Sequence, residues 1–288
     1  SKLELGHVMN SESDRPRGRC EDSTTMIVRG VDVRKIELHF SAMASDARCR
    51  HRVIDYDVRS HGTSETTVEQ AESLIYENLC RLAAEWKREG HEDNEGGLHF
   101  ADLTLIDKGW MGSWTDDGEK KTWASQPVER FCIEHGIRHF LPAKGQPAYR
   151  QPEPSREVII GDNWHINRGK GRERTCSEVI WNAEHWHALV EGLFMTAEDD
   201  PHGFQLFASE PGLWINHKRL AEHIREGSAD LAELRKKATK TRKPRYRRDH
   251  FWDSFAMMLV ARSVEERLRE IEATRKPART LAEMAAGK

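Results

Sequence analysis

The stretch that decides the fold class is residues 26–33, which read Met-Ile-Val-Arg-Gly-Val-Asp-Val. This β-branched run is typical of a strand, and it leads almost directly into residues 35–40, Lys-Ile-Glu-Leu-His-Phe, in which polar and apolar residues alternate. A third apolar run follows at 53–58. Three such runs with short separations predict an antiparallel meander.

Helix and strand signals alternate through the rest of the chain. Apolar residues recur at three- and four-residue steps between Val68 and Trp86, which predicts an amphipathic helix that ends near Gly90. The order then continues with a short apolar strand at 103–107, a helix over about 125–135, a strand at 139–142 and a last helix over about 250–272. This order predicts an α/β fold with a mixed central β-sheet flanked by helices.

The domain organisation follows from changes in composition. We predict a flexible N-terminal tail at 1–23, one domain over 24–272 and a C-terminal tail at 273–288. Within the domain, 142–181 is predicted to be a Pro-rich loop followed by a small β insertion, and 235–248 a basic loop.

Composition excludes several classes of protein. Charged residues make up 32% of the 288 residues, yet nine Trp and nine Phe can anchor a core, which favours a globular domain over a disordered chain. No apolar run approaches the ~18 residues needed to cross a bilayer, and no signal peptide opens the chain. The five cysteines are odd in number and form no C-x-x-C pair, so we expect reduced thiols in a cytoplasm.

Three carboxylates stand in unusual places. Asp32 lies in the first strand, Asp107 ends the strand at 103–107, and Asp253 lies near the start of the last, largely apolar helix. Buried carboxylates need compensation by hydrogen bonds, by Arg or Lys, or by a cation. Taken singly, each has a structural explanation as a turn cap or as a partner of the helix dipole. Together they could form a two-metal site for phosphoryl transfer.

Weaker candidates surround these acids. Asp55 is a possible auxiliary acid, although Asp55 and Asp57 could both face solvent, and His250 could line the site or cap its helix. Nine of the fourteen residues at 235–248 are basic, and the run leads directly into the last helix. It could follow a phosphate backbone or be a solvated loop. The candidate DNA contacts are Lys144, Lys240, Arg242, Lys243, Arg245, Arg247 and Arg248.

These motifs, in this order, resemble the nuclease domain of phage terminase large subunits, in particular the lambda-like GpA type. The resemblance covers roughly residues 26–268. It rests on five stretches, all short: 30–33 with the strand that follows, 53–56, 105–109 (Leu-Ile-Asp-Lys-Gly), 143–145 (Ala-Lys-Gly) and 248–256 (Arg-Asp-His-Phe-Trp-Asp-Ser-Phe-Ala). Residues 182–186 resemble the family's helix after the β insertion. Lys108 stands where the family pattern leads us to expect Ser.

The resemblance implies a ribonuclease H-like fold in which Asp32, Asp107 and Asp253 hold two Mg²⁺ or Mn²⁺ ions. It also implies cleavage of concatemeric double-stranded DNA during phage genome packaging in the bacterial cytoplasm. A terminase ATPase domain, a small terminase subunit and a portal would be the protein partners. The chain has no G-x-x-x-x-G-K-[ST] motif and begins with Ser, so we expect it to be the nuclease half of a longer protein.

Two alternatives remain open at this point. Another ribonuclease H-like DNA-processing enzyme, such as a transposase, integrase or resolvase, would share the three acids. A non-catalytic DNA-binding packaging module would carry the same acids in a structural role.

Overall fold

The computed structural model describes residues 3–109, 127–167, 176–196, 200, 202–209, 216–236 and 250–274. The helices are α1 (Leu5–Met9), α2 (Val68–Glu89), α3 (Pro127–His135), α4 (Ala183–Met195), α5 (His217–Lys236) and α6 (His250–Thr274). The strands are β1 (Thr24–Val33), β2 (Glu37–Asp46), β3 (His51–Ser60), β4 (His91–Glu92), β5 (Leu98–His99), β6 (Leu103–Asp107), β7 (Phe140–Gln146), β8 (Val158–Gly161), β9 (Trp164–Asn167), β10 (Glu178–Asn182) and β11 (Phe204–Gln205).

Nine of these strands form one sheet in the order β11-β3-β2-β1-β6-β7-β10-β9-β8. The first three strands in the chain form an antiparallel meander, as the sequence predicts. Strands β6, β7 and β10 then run parallel to β1, and β9 and β8 close the sheet in antiparallel pairing. The mixed α/β sheet flanked by helices is therefore confirmed.

Helices cover the two faces of the sheet. Helix α6 packs on one face, against β1, β2 and β6, within the larger apolar core. Helices α2 and α3 pack together on the opposite face, where a second cluster includes Val31 and Ile106. Because side chains alternate along a strand, each strand residue can be assigned to the α6 face or to the α2 face.

The contact between α6 and β1 is unusually close at Gly30. A Cβ atom built on Gly30 would lie 2.1 Å from the backbone oxygen of Ser254 and 2.8 Å from the backbone nitrogen of Met258. Glycine is needed here because the helix backbone occupies the space that any side chain would fill. The Ser254 hydroxyl donates to the Gly30 carbonyl oxygen at 3.0 Å and lies 2.7 Å from the Ser41 hydroxyl, which fixes the start of α6 over β1.

The structure corrects two expectations of the sequence analysis. Residues 3–23 pack against the fold instead of forming a tail, because three of their apolar side chains, Leu3, Val8 and Cys20, are buried. These residues are too sparse to produce a periodic signal. The strands predicted as a small β insertion are β8, β9 and β10, which continue the central sheet.

None of the described helices is both long and apolar enough to cross a membrane.

Candidate active site

Strand pairing, side-chain alternation and the packing of α6 bring Asp32, Asp107 and Asp253 to one place. Strands β1 and β6 pair in parallel, with Val31 opposite Ile106, and each strand's next residue is one of the acids. Both of these acids follow the alternation that points side chains to the α6 face. Asp253 lies in the first turn of α6, directly before the Ser254 that is fixed to Gly30.

The three carboxylates are close enough for their charges to act on one another. Burial and the nearby charges of Asp32 and Asp253 raise the pKa of Asp107 to about 8, well above the 3.8 of a free Asp. Asp32 is itself 1% exposed. A cluster that raises a carboxyl pKa in this way carries more negative charge than its surroundings compensate, which is the condition that favours a bound cation.

Arg34 supplies positive charge to this cluster. Its Nε donates to Oδ2 of Asp32 at 2.7 Å, and its Nη2 donates to Oδ2 of Asp253 at 3.1 Å. Burial lowers the pKa of Arg34, but Asp32 and Asp253 outweigh that effect and raise it above its ordinary value. One guanidinium therefore bridges the first-strand acid and the helix acid.

Histidines complete the surroundings of these acids. Nδ1 of His250 lies 3.3 Å from Oδ2 of Asp32, beside the acid cluster. Nε2 of His187, on α4, lies 3.0 Å from Oδ1 of Asp253. His39, on β2 and 3% exposed, packs against His250 with ring centroids 4.4 Å apart and ring planes tilted by 47°.

The loop after β6 explains the Lys108-Gly109 pair. The backbone N–H of Gly109 donates to Oδ1 of Asp107 at 2.9 Å and so holds the carboxylate at the strand end. Lys108 has the opposite side-chain direction and forms ion pairs with Glu129, at 2.6 Å, and with Glu178. Lys108 thus stabilises the neighbouring elements and leaves the acid cluster unobstructed.

Other predicted residues lie elsewhere. Asp55 projects from the face opposite the three acids, where it accepts from Nε of Arg17 at 2.6 Å, and Asp57 accepts from the same guanidinium at 3.2 Å. The structure therefore does not bring Asp55 to the acid cluster. Lys144 is exposed and, because Ala143 faces the α6 core, it also points to the opposite face. The remaining predicted DNA contacts, Lys240, Arg242, Lys243, Arg245, Arg247 and Arg248, lie outside the described residues.

Sequence reasoning missed three residues of the site. Arg34 follows Asp32 by two positions, a spacing that could have indicated a counter-ion at the strand end. His39 shows as a polar residue in the alternation of β2, on the same face as Asp32, with which it pairs in register. His187 precedes Asp253 by 66 residues, so no local pattern connects the two.

The donor set suits divalent metal ions. Three carboxylates provide the oxygen ligands that Mg²⁺ and Mn²⁺ prefer, and the raised pKa of Asp107 shows that one arginine leaves the cluster short of positive charge. A metal ion would supply that charge and stabilise all three acids in the ionised form.

Comparison with known proteins gives distant structural matches. No family model and no curated protein sequence matches the chain. One solved structure with a match is Thermus thermophilus RuvC in complex with a Holliday junction substrate, at 12% identity and a TM-score of 0.27, covering 41% of this chain and 65% of that one. Another is a Thermus thermophilus RuvC structure, at 10% identity and a TM-score of 0.36, covering 84% and 96% of the two chains.

A likeness at these values is too low to transfer an activity. The mixed α/β fold of this chain rests instead on its own sheet order. Neither match points to a phage terminase.

Proposed function

We propose that this protein is a metal-dependent endonuclease of the ribonuclease H-like type, with Asp32, Asp107 and Asp253 as its metal-binding carboxylates. The observation that carries the proposal is the convergence of these acids from β1, β6 and the first turn of α6, with the pKa of Asp107 raised to about 8 by burial and by the other two. A cluster held only for stability would gain nothing from such repulsion.

The residues around the acids would position the reaction. Asp32, Asp107 and Asp253 would hold two divalent ions, which would supply a lowered pKa for an attacking water and positive charge for the departing oxygen of a phosphodiester. The chain's own groups hold the ligands: Gly109 N–H orients Asp107, and His187 orients Asp253. Arg34 would exchange its contacts with Asp32 and Asp253 for solvent or for a DNA phosphate, which a guanidinium binds well.

The finer proposal is the nuclease domain of a phage terminase large subunit, acting on concatemeric double-stranded DNA. It is supported by the collinear motifs between residues 26 and 268 and by the basic run at 235–248 next to the helix that carries Asp253. With a net charge of −3, the basic run would supply most of the attraction for DNA, so binding should weaken steeply with salt.

The test is DNA cleavage by the purified chain in Mn²⁺, in Mg²⁺ and in EDTA. Asp32→Asn, Asp107→Asn and Asp253→Asn remove a charge at nearly constant shape, and each should abolish metal-dependent cutting while circular dichroism shows a folded protein. Asp55→Asn is the matched control, because it removes a strand carboxylate on the opposite face. It should leave cutting intact.

Substrate choice separates the finer possibilities. Linear duplex, supercoiled plasmid and a four-way junction are compared in the same assay. Cutting of duplex without junction preference supports the terminase proposal, and selective junction cutting favours a resolvase. One outcome would refute the nuclease proposal. Neither the chain alone nor the chain joined to an ATPase domain would cut DNA in any metal, and all three Asn variants would bind DNA as the wild type does. A DNA-binding module would then be favoured.

A further inference from the structure

A set of possible metal ligands lies at one side of the acid cluster. One oxygen of Asp32 and one ring nitrogen each of His39 and His250 all lie within 4.8 Å of one another. Among the described residues this is the one group of three or more His, Cys, Asp or Glu side chains so arranged, and it includes neither Asp107 nor Asp253. The three residues come from β1, β2 and the start of α6, elements that the Gly30 contact holds together.

The two histidines have unused hydrogen-bonding capacity. Nδ1 of His39 is buried without a hydrogen-bond partner, and Nδ1 of His250 is buried with only the 3.3 Å ion-pair contact to Oδ2 of Asp32, which is not a hydrogen bond. Buried polar atoms are nearly always satisfied, so such atoms beside a buried carboxylate point to a missing ligand. His39 is 3% exposed, and water therefore reaches it poorly.

We propose that Asp32, His39 and His250 form a binding site for a divalent transition-metal ion of the class represented by Zn²⁺, in preference to Mg²⁺. Two imidazole nitrogens and one carboxylate oxygen suit such ions, whereas Mg²⁺ selects oxygen ligands and gives up its waters reluctantly. The proposal deepens the proposed function and takes its catalytic meaning from it, because one of the nuclease's two ions would then have mixed nitrogen and oxygen ligands.

The experiment measures metal binding directly. The full chain, stripped with EDTA and dialysed, is titrated with Co²⁺, whose visible absorption reports its ligands and which substitutes for Zn²⁺. Zn²⁺ and Mg²⁺ are then added as competitors. The variants are His39→Gln and His250→Gln, and the matched control is His51→Gln, which removes another buried histidine, on β3, that packs against Phe204.

We expect the wild-type chain and His51→Gln to bind Co²⁺ that Zn²⁺ displaces and Mg²⁺ does not. His39→Gln and His250→Gln should each weaken that binding by about 100-fold or more, since loss of even an outer partner of a metal ligand costs about 10–100-fold. If His39→Gln does not fold, His250→Gln decides, because His250 lies at the partly exposed start of α6. Unchanged Co²⁺ affinity in the folded variants, or displacement of Co²⁺ by Mg²⁺ at equal concentration, would overturn the proposal.

Cleavage assays on the same samples keep the two proposals apart. If the chain cuts DNA in Mg²⁺ but its Co²⁺ affinity is unchanged in both His→Gln variants, the histidine site is refuted and the nuclease proposal stands. Histidine-dependent Co²⁺ binding without cutting in any metal refutes the nuclease and leaves the site.

Discussion

Gly30→Ala tests whether the close contact between β1 and α6 builds the site. The added Cβ would lie 2.1 Å from the carbonyl oxygen of Ser254 and 2.8 Å from the amide nitrogen of Met258. Both are backbone atoms of a helix, so neither can rotate away. Since nonbonded heavy atoms need about 3.5 Å, α6 would have to move away from β1 by roughly 1 Å or more.

The expected loss of folding stability lies at the upper end of the range for overpacked cores. Inserting a methyl group into a packed core costs about 1–3 kcal/mol, and here the clash is with backbone. The Ser254 hydrogen bond to the Gly30 carbonyl would stretch as well, which adds about 1 kcal/mol. We therefore expect the free energy of unfolding to fall by about 3 kcal/mol or more, and the carboxylate of Asp253 to move away from Asp32.

Urea unfolding followed by circular dichroism measures the stability change, and calorimetric Mn²⁺ titration measures the site. The matched control is Gly192→Ala in α4, where an added Cβ meets no atom within 4 Å. That change should stabilise the protein by about 0.5–1 kcal/mol, because alanine favours a helix interior. A Gly30→Ala protein as stable as wild type, with unchanged Mn²⁺ affinity, would refute the reasoning.

Three further predictions concern charged groups. Arg34→Gln removes the guanidinium that bridges Asp32 and Asp253, so the metal-free chain should lose stability while Mn²⁺ binds about tenfold more tightly; equal Mn²⁺ affinity by calorimetry would contradict this. Burial, with Arg29 nearby, lowers the pKa of His91 to about 4; the unfolded chain therefore takes up an extra proton as pH falls from about 6.5 to 4, and stability should decline over that window. Urea midpoints across that pH series should change less steeply in His91→Gln. Glu265→Gln leaves the partly exposed Arg138 and Arg269 without their buried carboxylate, and the free energy of unfolding measured in urea should fall by about 1–2 kcal/mol. Adding 1 M salt to the wild-type protein should not produce this loss, because salt screens exposed charges and not the buried carboxylate.

Much of the fold could be predicted because most of its long helices and strands have a clear local pattern of apolar residues. The run at 26–33 and the alternation at 35–40 define β1 and β2, and the spacing between Val68 and Trp86 defines α2. The place of β8 and β9 could not be predicted, since a short strand gives no sign of which edge it joins. The packing of residues 3–23 was missed for the same reason: isolated apolar residues such as Leu3 have no period.

The residues of the candidate site also divide into those with a local sequence signal and those placed only by tertiary packing. The acids Asp32 and Asp107 could be found because a carboxylate directly at the end of a buried strand is conspicuous, and Asp253 because it interrupts an apolar helix. The face on which Asp55 lies could not be predicted, because alternation fixes only the relative faces of residues within a strand and the face that α6 covers is a property of the folded sheet. His187 reaches the site through tertiary packing, which leaves no mark in the sequence near Asp253.

The packing of the fold places three negative charges together, and the site must compensate them. Parallel pairing of β1 and β6 forces Asp32 and Asp107 side by side, and the Gly30 contact adds Asp253 from above. Repulsion among them is relieved in part by Arg34 and in part by the raised pKa of Asp107, that is, by holding a proton. Both forms of relief are reversible, since a guanidinium can swing away and a proton can leave. A cluster that stabilises itself only with removable positive charge is suited to exchange that charge for metal ions. This is the physical basis for proposing the chemistry here rather than at Arg17, where one guanidinium faces two carboxylates and not three.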